Sequence, residues 1–280
     1  MSGDPFTPWL LIIRLGLNAS ALAAAGFALH TFAGVIEAGC RRMVLRLAGL
    51  ASLVGLLFIG GRFAIVTLQL GDGAFDAAPF AWAALGPSIL TFLLGAVLVA
   101  LSALLSRTWL AAIGAVAIAA AFGLTGHAQG LDQPGVAPFA VAAHVLIAGF
   151  WVTAPLTLWP SPRLPDGALI HRLHRFGRIA AWAIPLMFLV GMWTAWRLAG
   201  GVDALFATPY GQLLLVKLGA SSIALAMGAL NHRFVTDRVT LAPQRGKRWL
   251  KATLAVEAVA FLVAITLVSI ATTFTGPGEA

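Results

Sequence analysis

Eight apolar runs, each about 20 residues or longer, fill almost the whole chain and decide its solvent first. They cover residues 8–30, 43–70, 86–105, 108–126, 136–159, 179–199, 210–232 and 249–274. At about 1.5 Å of rise per residue, a helix of this length crosses a hydrocarbon core of about 30 Å. Backbone polar groups in lipid must pair within their own segment, which selects helices. With 60% hydrophobic and only 10% charged residues, a soluble domain of this length is excluded. The expected fold is all-α: a polytopic membrane protein forming one domain over residues 1–280, a bundle of eight transmembrane helices.

The net charge of +8 would suggest nucleic acid in a soluble protein, but its distribution points elsewhere. Loops between the runs alternate. One set carries Arg41, Arg42 and Arg46, then Arg107, then Arg163, Arg172, Arg175 and Arg178, then Arg233, Arg238, Arg245, Lys247, Arg248 and Lys251. The other set carries Asp72, Asp76, Asp132 and Asp203, with Arg197 just inside the preceding run. Basic residues mark cytoplasmic loops, so the pattern predicts both termini on the periplasmic side of a bacterial inner membrane. Lipid is then the expected partner, and nucleic acid is not. The lone cysteine, Cys40, allows no internal disulfide.

Ionisable groups within the apolar runs are the first candidates for function, because each is costly in lipid unless paired or wetted. They are Arg14, Arg62, Lys217, Glu257 and His144. Counted from the outer ends of their runs, the three cations lie about 9–12 Å deep. They either line one vestibule or snorkel to lipid phosphates. Glu257 is the sole acid in the runs, and an ion pair with Lys217 on the preceding helix is expected.

Histidines ligate metals and haem. His127 closes the fourth run, and His144 lies inside the fifth among apolar neighbours, with Trp151 two turns later. His30 and His232 are expected at interfacial helix ends, and His171 and His174 on a solvated basic loop. Met187 and Met192 lie on the sixth run and offer thioethers, soft ligands that suit Cu(I).

Residues 125–277 resemble the copper resistance protein D (CopD) family. The matching pieces are Gly126-His127-Ala128, His144 with Trp151, Arg175-Phe176-Gly177, Pro209-Tyr210-Gly211-Gln212 running to Lys217, Gly228-Ala229-Leu230-Asn231, and Glu257 on the last helix. This resemblance implies copper passage from periplasm to cytoplasm, often with a small periplasmic copper-binding partner of the CopC type. It also favours His127 and His144, with Met192, as copper ligands. The chain departs from the family after Trp151, where Val152-Thr153-Ala154-Pro155 replaces a usual glycine pair, and at His232, where Arg is common.

Three functions follow as expectations. The first is a copper permease, with His127 at the outer mouth and His144 deeper. The second is a haem b electron-transfer protein of the cytochrome b561 type, with His127 and His144 as outer ligands and His30 and His232 as inner ones. The third is a protein that delivers copper to another membrane complex. No ATP-binding glycine loop, zinc-protease helix motif or nucleophile elbow is present, so no enzyme activity is expected.

Overall fold

The computed structural model describes residues 5–125, 135–199 and 201–274, and among these every regular element is helical. In order they are α1 (Thr7–Phe32), α2 (Ala38–Leu70), α3 (Ala78–Leu105), α4 (Thr108–Gly123), α5 (Ala137–Val152) and the short α6 (Ala154–Thr157). Then come α7 (Asp166–Ala199), α8 (Val202–Ala207), α9 (Pro209–Leu230), a π-helical turn (Asn231–Val235), α10 (Thr236–Leu241) and α11 (Pro243–Phe274).

Among the described residues, seven spans are long and apolar enough to cross a membrane. The fourth apolar run contributes α4, whose 16 residues extend about 24 Å. Large apolar side chains such as Leu57, Trp182 and Leu262 face outward, as lipid requires.

The helices outrun the apolar segments that announce them. The sequence places a basic loop before residue 179, yet α7 begins at Asp166, so His171, Arg172, His174, Arg175 and Arg178 are helical. The last basic loop is likewise largely helix, through the π-turn, α10 and the start of α11. Hydropathy marks only the lipid-embedded part of a helix, and Arg and Lys continue it readily into water. In the first turn of α7, Asp166 sits favourably on the helix dipole and pairs with Lys247 at the start of α11. The 136–159 run breaks the other way, into α5 and α6, where Pro155 opens the second piece.

Two cores hold the bundle. In the first, Ala21, Ala24, Ala25 and Ala28 of α1 pack with Ala48, Phe92, Ala111 and Ile118 of α2–α4. Small residues let these backbones touch. A Cβ added to Gly95 would lie 2.7 Å from the Gly114 carbonyl oxygen, and one on Gly114 would lie 2.7 Å from that of Gly95. The second core joins Phe150 and Trp151 of α5 to Leu173 and Phe176 of α7 and to Leu250, Leu254 and Phe261 of α11.

A buried polar clamp ties the halves together. His30, expected at an interface, is fully buried. Its Nε2 donates to the Phe150 carbonyl at 2.7 Å, and its Nδ1 lies 2.8 Å from Thr157 Oγ1. Both nitrogens are engaged because α1 continues past His30 to Phe32 and presses that turn against α5 and α6. Beside it, Arg172 of α7 donates from Nη1 to the Thr157 carbonyl at 2.8 Å. Its Nε donates to Glu37 Oε2 at 2.8 Å, and its Nη2 pairs with Glu37 Oε1.

Candidate functional site

Two cavities lie along the seam between α7 and α9, one toward each end. The first depends on how α8 and α9 begin. Thr208 caps α9 by accepting from the Gly211 N–H at 3.0 Å, and Pro209 fills the first turn. Gly211 admits the backbone of α8, since a Cβ there would meet the Ala204 carbonyl oxygen at 2.4 Å. With α8 tucked against α9, Val202 and Leu205 join the wall of a cavity of about 330 Å³.

His144 of α5, Met187 and Met192 of α7, and Lys217 and Ser221 of α9 line that cavity. His144 Nδ1 lies 3.4 Å from the Met187 carbonyl oxygen, at the long end of hydrogen bonding. A carbonyl only accepts, so this contact puts the proton on Nδ1 and leaves the Nε2 lone pair for a ligand. Gly191 makes room for the ring: a Cβ there would stand 3.0 Å from both Cε1 and Nδ1 of the imidazole. Met192 is 47% exposed, while Met187 is buried. Of the expected ligands His127, His144 and Met192, the latter two line this one cavity.

The second cavity, about 180 Å³, is bounded by Phe176, Gly177 and Pro185 of α7, by Gly228, Asn231 and His232 on the α9 side, and by Glu257 of α11. Glu257 is 2% exposed. Its Oε1 accepts from Asn231 Nδ2 at 2.7 Å, and Asn231 Oδ1 accepts from Thr253 Oγ1 at 2.5 Å. Those two bonds fix which way the amide points. Trp151 stands between the cavities. Its ring packs edge-on against Phe261 at 5.0 Å and tilts against Phe188, which lines the first cavity.

Other expected residues fall elsewhere. His127 lies outside the described residues. Arg14 donates to Thr273 Oγ1 at 3.4 Å, and Arg62 to Thr125 Oγ1 at 3.2 Å, whereas Lys217 faces the His144 cavity. Tyr210 is buried in the first turn of α9.

Two expectations are corrected. Lys217 and Glu257 form no ion pair; among the described residues the ion pairs are Glu37–Arg172 and Asp166–Lys247. Glu257 is level with Asn231, about 21 Å along α9 from Lys217 and beyond any lysine stem. The inner haem pair also fails, because His30 has both ring nitrogens engaged. Among the described residues no group of three or more His, Cys, Asp or Glu gathers to hold a metal.

The sequence reading missed the Glu37–Arg172 pair and the unpartnered Trp151 indole. Glu37 was visible as a lone acid beside Arg41 and Arg42, but nothing in the sequence tied it to Arg172. Arg172 holds the Glu37 carboxyl down to about 2, chiefly through its hydrogen bonds.

The helices from α7 to α11 also carry the likeness to known proteins. Residues 170–271 match the family model of copper resistance protein D. The matched segment of that family runs from α7 into α11 and so includes Met187, Met192, Lys217, Asn231 and Glu257; His144 and Trp151 precede it. The copper transport protein CutJ of Bacillus subtilis (strain 168) is 33% identical over 112 residues, 38% of this chain. The match takes in only 21% of that relative's length. No solved structure matches the chain.

Proposed function

We propose that this protein handles copper at a membrane, moving the ion without enzymatic chemistry through the His144 cavity. The observation that carries this is the convergence of one imidazole and two thioethers, from α5 and α7, on a single cavity beside α9. Imidazole and thioether are the soft donors that suit Cu(I). Lys217 favours the same oxidation state, because an ammonium opposes a divalent ion twice as strongly as a monovalent one. The likeness to a copper resistance family and to a named copper transport protein supports copper over other soft metals.

The same reading assigns the finer points. His127 receives copper at the outer mouth, from a small periplasmic copper-binding protein of the CopC type. The basic loops face the cytoplasm of a bacterial cell, the inner membrane is the location, and the ion travels inward. Copper is cargo here.

The test is copper content per protein after loading the purified protein with Cu(I). Wild type is expected to hold near-stoichiometric copper, with clear losses in His144→Ala and in Met187→Leu/Met192→Leu. Full copper retention by His144→Ala, with the variant running as wild type on size exclusion, overturns the assignment.

A further inference from the structure

Glu257 has no part in the copper site, yet it sits against a cavity with an incomplete set of polar partners. We infer that the Glu257 cavity is a proton-binding site, in which bound water joins Trp151 to Glu257 and the carboxylate exchanges a proton with the basic end of the bundle. The inference goes beyond the copper reading and does not depend on it.

Four observations carry it. Trp151 is 2% exposed, and its Nε1 donor is buried without a hydrogen-bond partner. Buried donors of this kind are rare and point to an unseen acceptor. The place for that acceptor is over Gly228: a Cβ there would lie 3.8 Å from Trp151 Nε1 and 4.0 Å from Glu257 Oε1, with nothing nearer. A donor and an acceptor around one small opening suit water, which accepts from the indole and donates to the carboxylate. A metal ion suits it poorly, because the indole hydrogen would face the cation.

The wall is mostly apolar, and the few polar groups on it have structural causes. Pro185 inside α7 offers no N–H to the Ala181 carbonyl four residues back, and both residues line the cavity. Across from them, the π-turn that begins at Asn231 supplies the amide that holds Glu257. Asn231 donates to the carboxyl group whether or not it carries a proton, so proton uptake leaves that bond in place.

His232 is the other titratable residue lining the cavity. Leu158 after α6 and the lining residues of α7 and α11 add none besides Glu257 itself. A proton reaching the cavity as hydrated H⁺ bonds to a carboxylate oxygen and leaves neutral water behind. A chain without an ATP-binding loop thereby gains a group on which a proton gradient can act.

The chain has three glutamates, Glu37, Glu257 and Glu279, so labelling glutamate with ¹³C at Cδ gives a spectrum simple enough to titrate. The probe is pH alone, on intact copper-free protein in nanodiscs, with signals assigned by Glu257→Gln and Glu37→Gln. Glu257→Gln keeps an oxygen for Asn231 Nδ2, which favours a folded control. The Glu257 signal is expected to move reversibly between carboxylate and acid with bulk pH. In Gly228→Ala, whose methyl meets only ordinary van der Waals contacts, that titration is expected to shift or slow because the water is displaced. A Glu257 signal unmoved across the pH range of the folded protein overturns the inference. So does a Gly228→Ala titration identical to wild type. Neither result bears on copper binding, which the loading experiment tests separately.

Discussion

Arg172→Met is expected to be one of the most damaging single changes outside the cavities. Arg172 is 9% exposed and makes three hydrogen bonds, two to Glu37 and one to the Thr157 carbonyl. Removing it leaves a partly exposed carboxylate unpaired and strands a buried carbonyl, a loss of about 1–3 kcal/mol. Glu37→Gln loses less, because the guanidinium keeps Thr157 and finds the Gln oxygen. The depression of the Glu37 carboxyl from 4.5 to about 2 corresponds nominally to about 3 kcal/mol. Glu37 remains partly open to water, so screening reduces this to about 1–2 kcal/mol. A depressed carboxyl contributes its stability above its unfolded value, so wild type loses this increment as pH falls from about 4.5 toward about 2. Glu37→Gln does not lose it. The assay is thermal unfolding in detergent, where each kcal/mol moves the midpoint by about 2–4 °C. The double variant is expected to be no worse than Arg172→Met alone. Strictly additive losses, or an Arg172→Met midpoint equal to wild type, would refute the clamp.

Two further outcomes follow from close backbone approaches. A Cβ on Gly26 would lie 2.1 Å from the Gly149 carbonyl oxygen, so Gly26→Ala must push α1 off α5 and is expected to cost about 1–3 kcal/mol. Gly39→Ala, which meets nothing within 4 Å, is the neutral control in the same thermal assay. Gly191→Ala presses a methyl on the His144 ring at 3.0 Å, so Cu(I) affinity measured by competition with a chelator is expected to fall by about 10-fold or more, with stability little changed.

The helical class was legible because lipid leaves a chain one economical solution, and the apolar runs record it directly. Helix ends were not, because the signal that finds them is hydropathy and the helices continue into water. That error carried into the site. Counting depth from the apolar runs put Lys217 and Glu257 within reach of an ion pair, whereas α9 and α11 are registered so that Asn231 takes the carboxylate. His144 and Met192, which line one cavity, stood out because a polar or soft side chain in an apolar run is conspicuous in sequence. Met187 was conspicuous too, but its carbonyl contact with His144 is a backbone matter invisible to residue type. Glu37 and Arg172 lie 135 residues apart, and only the return of α7 beside the α1–α2 turn brings them together.

Why both cavities fall on one seam follows from how each half of the bundle is packed. In α1–α4, alanines and glycines interlock with backbone against backbone, and little room for a ligand is left. Around α7 and α9 several irregularities gather. Pro185 interrupts the hydrogen bonding of α7, the π-turn shifts the register at the end of α9, and a separate short helix, α8, covers its start. Each irregularity frees or redirects a polar group that a regular helix would spend internally. In lipid such groups are tolerated only where they face protein or a cavity. Three such departures stand beside the cavities: Pro185 and Asn231 line the Glu257 cavity, and Val202 and Leu205 of α8 line the His144 cavity, while Pro87 inside α3 lines neither. A chain that only anchored itself in the bilayer would have no use for these departures. Straightening one of them by Pro185→Ala restores a partner for the Ala181 carbonyl, and is expected to raise the unfolding midpoint while lowering copper movement in reconstituted vesicles. A variant that gains stability and transports as wild type would show that the irregular seam serves no passage.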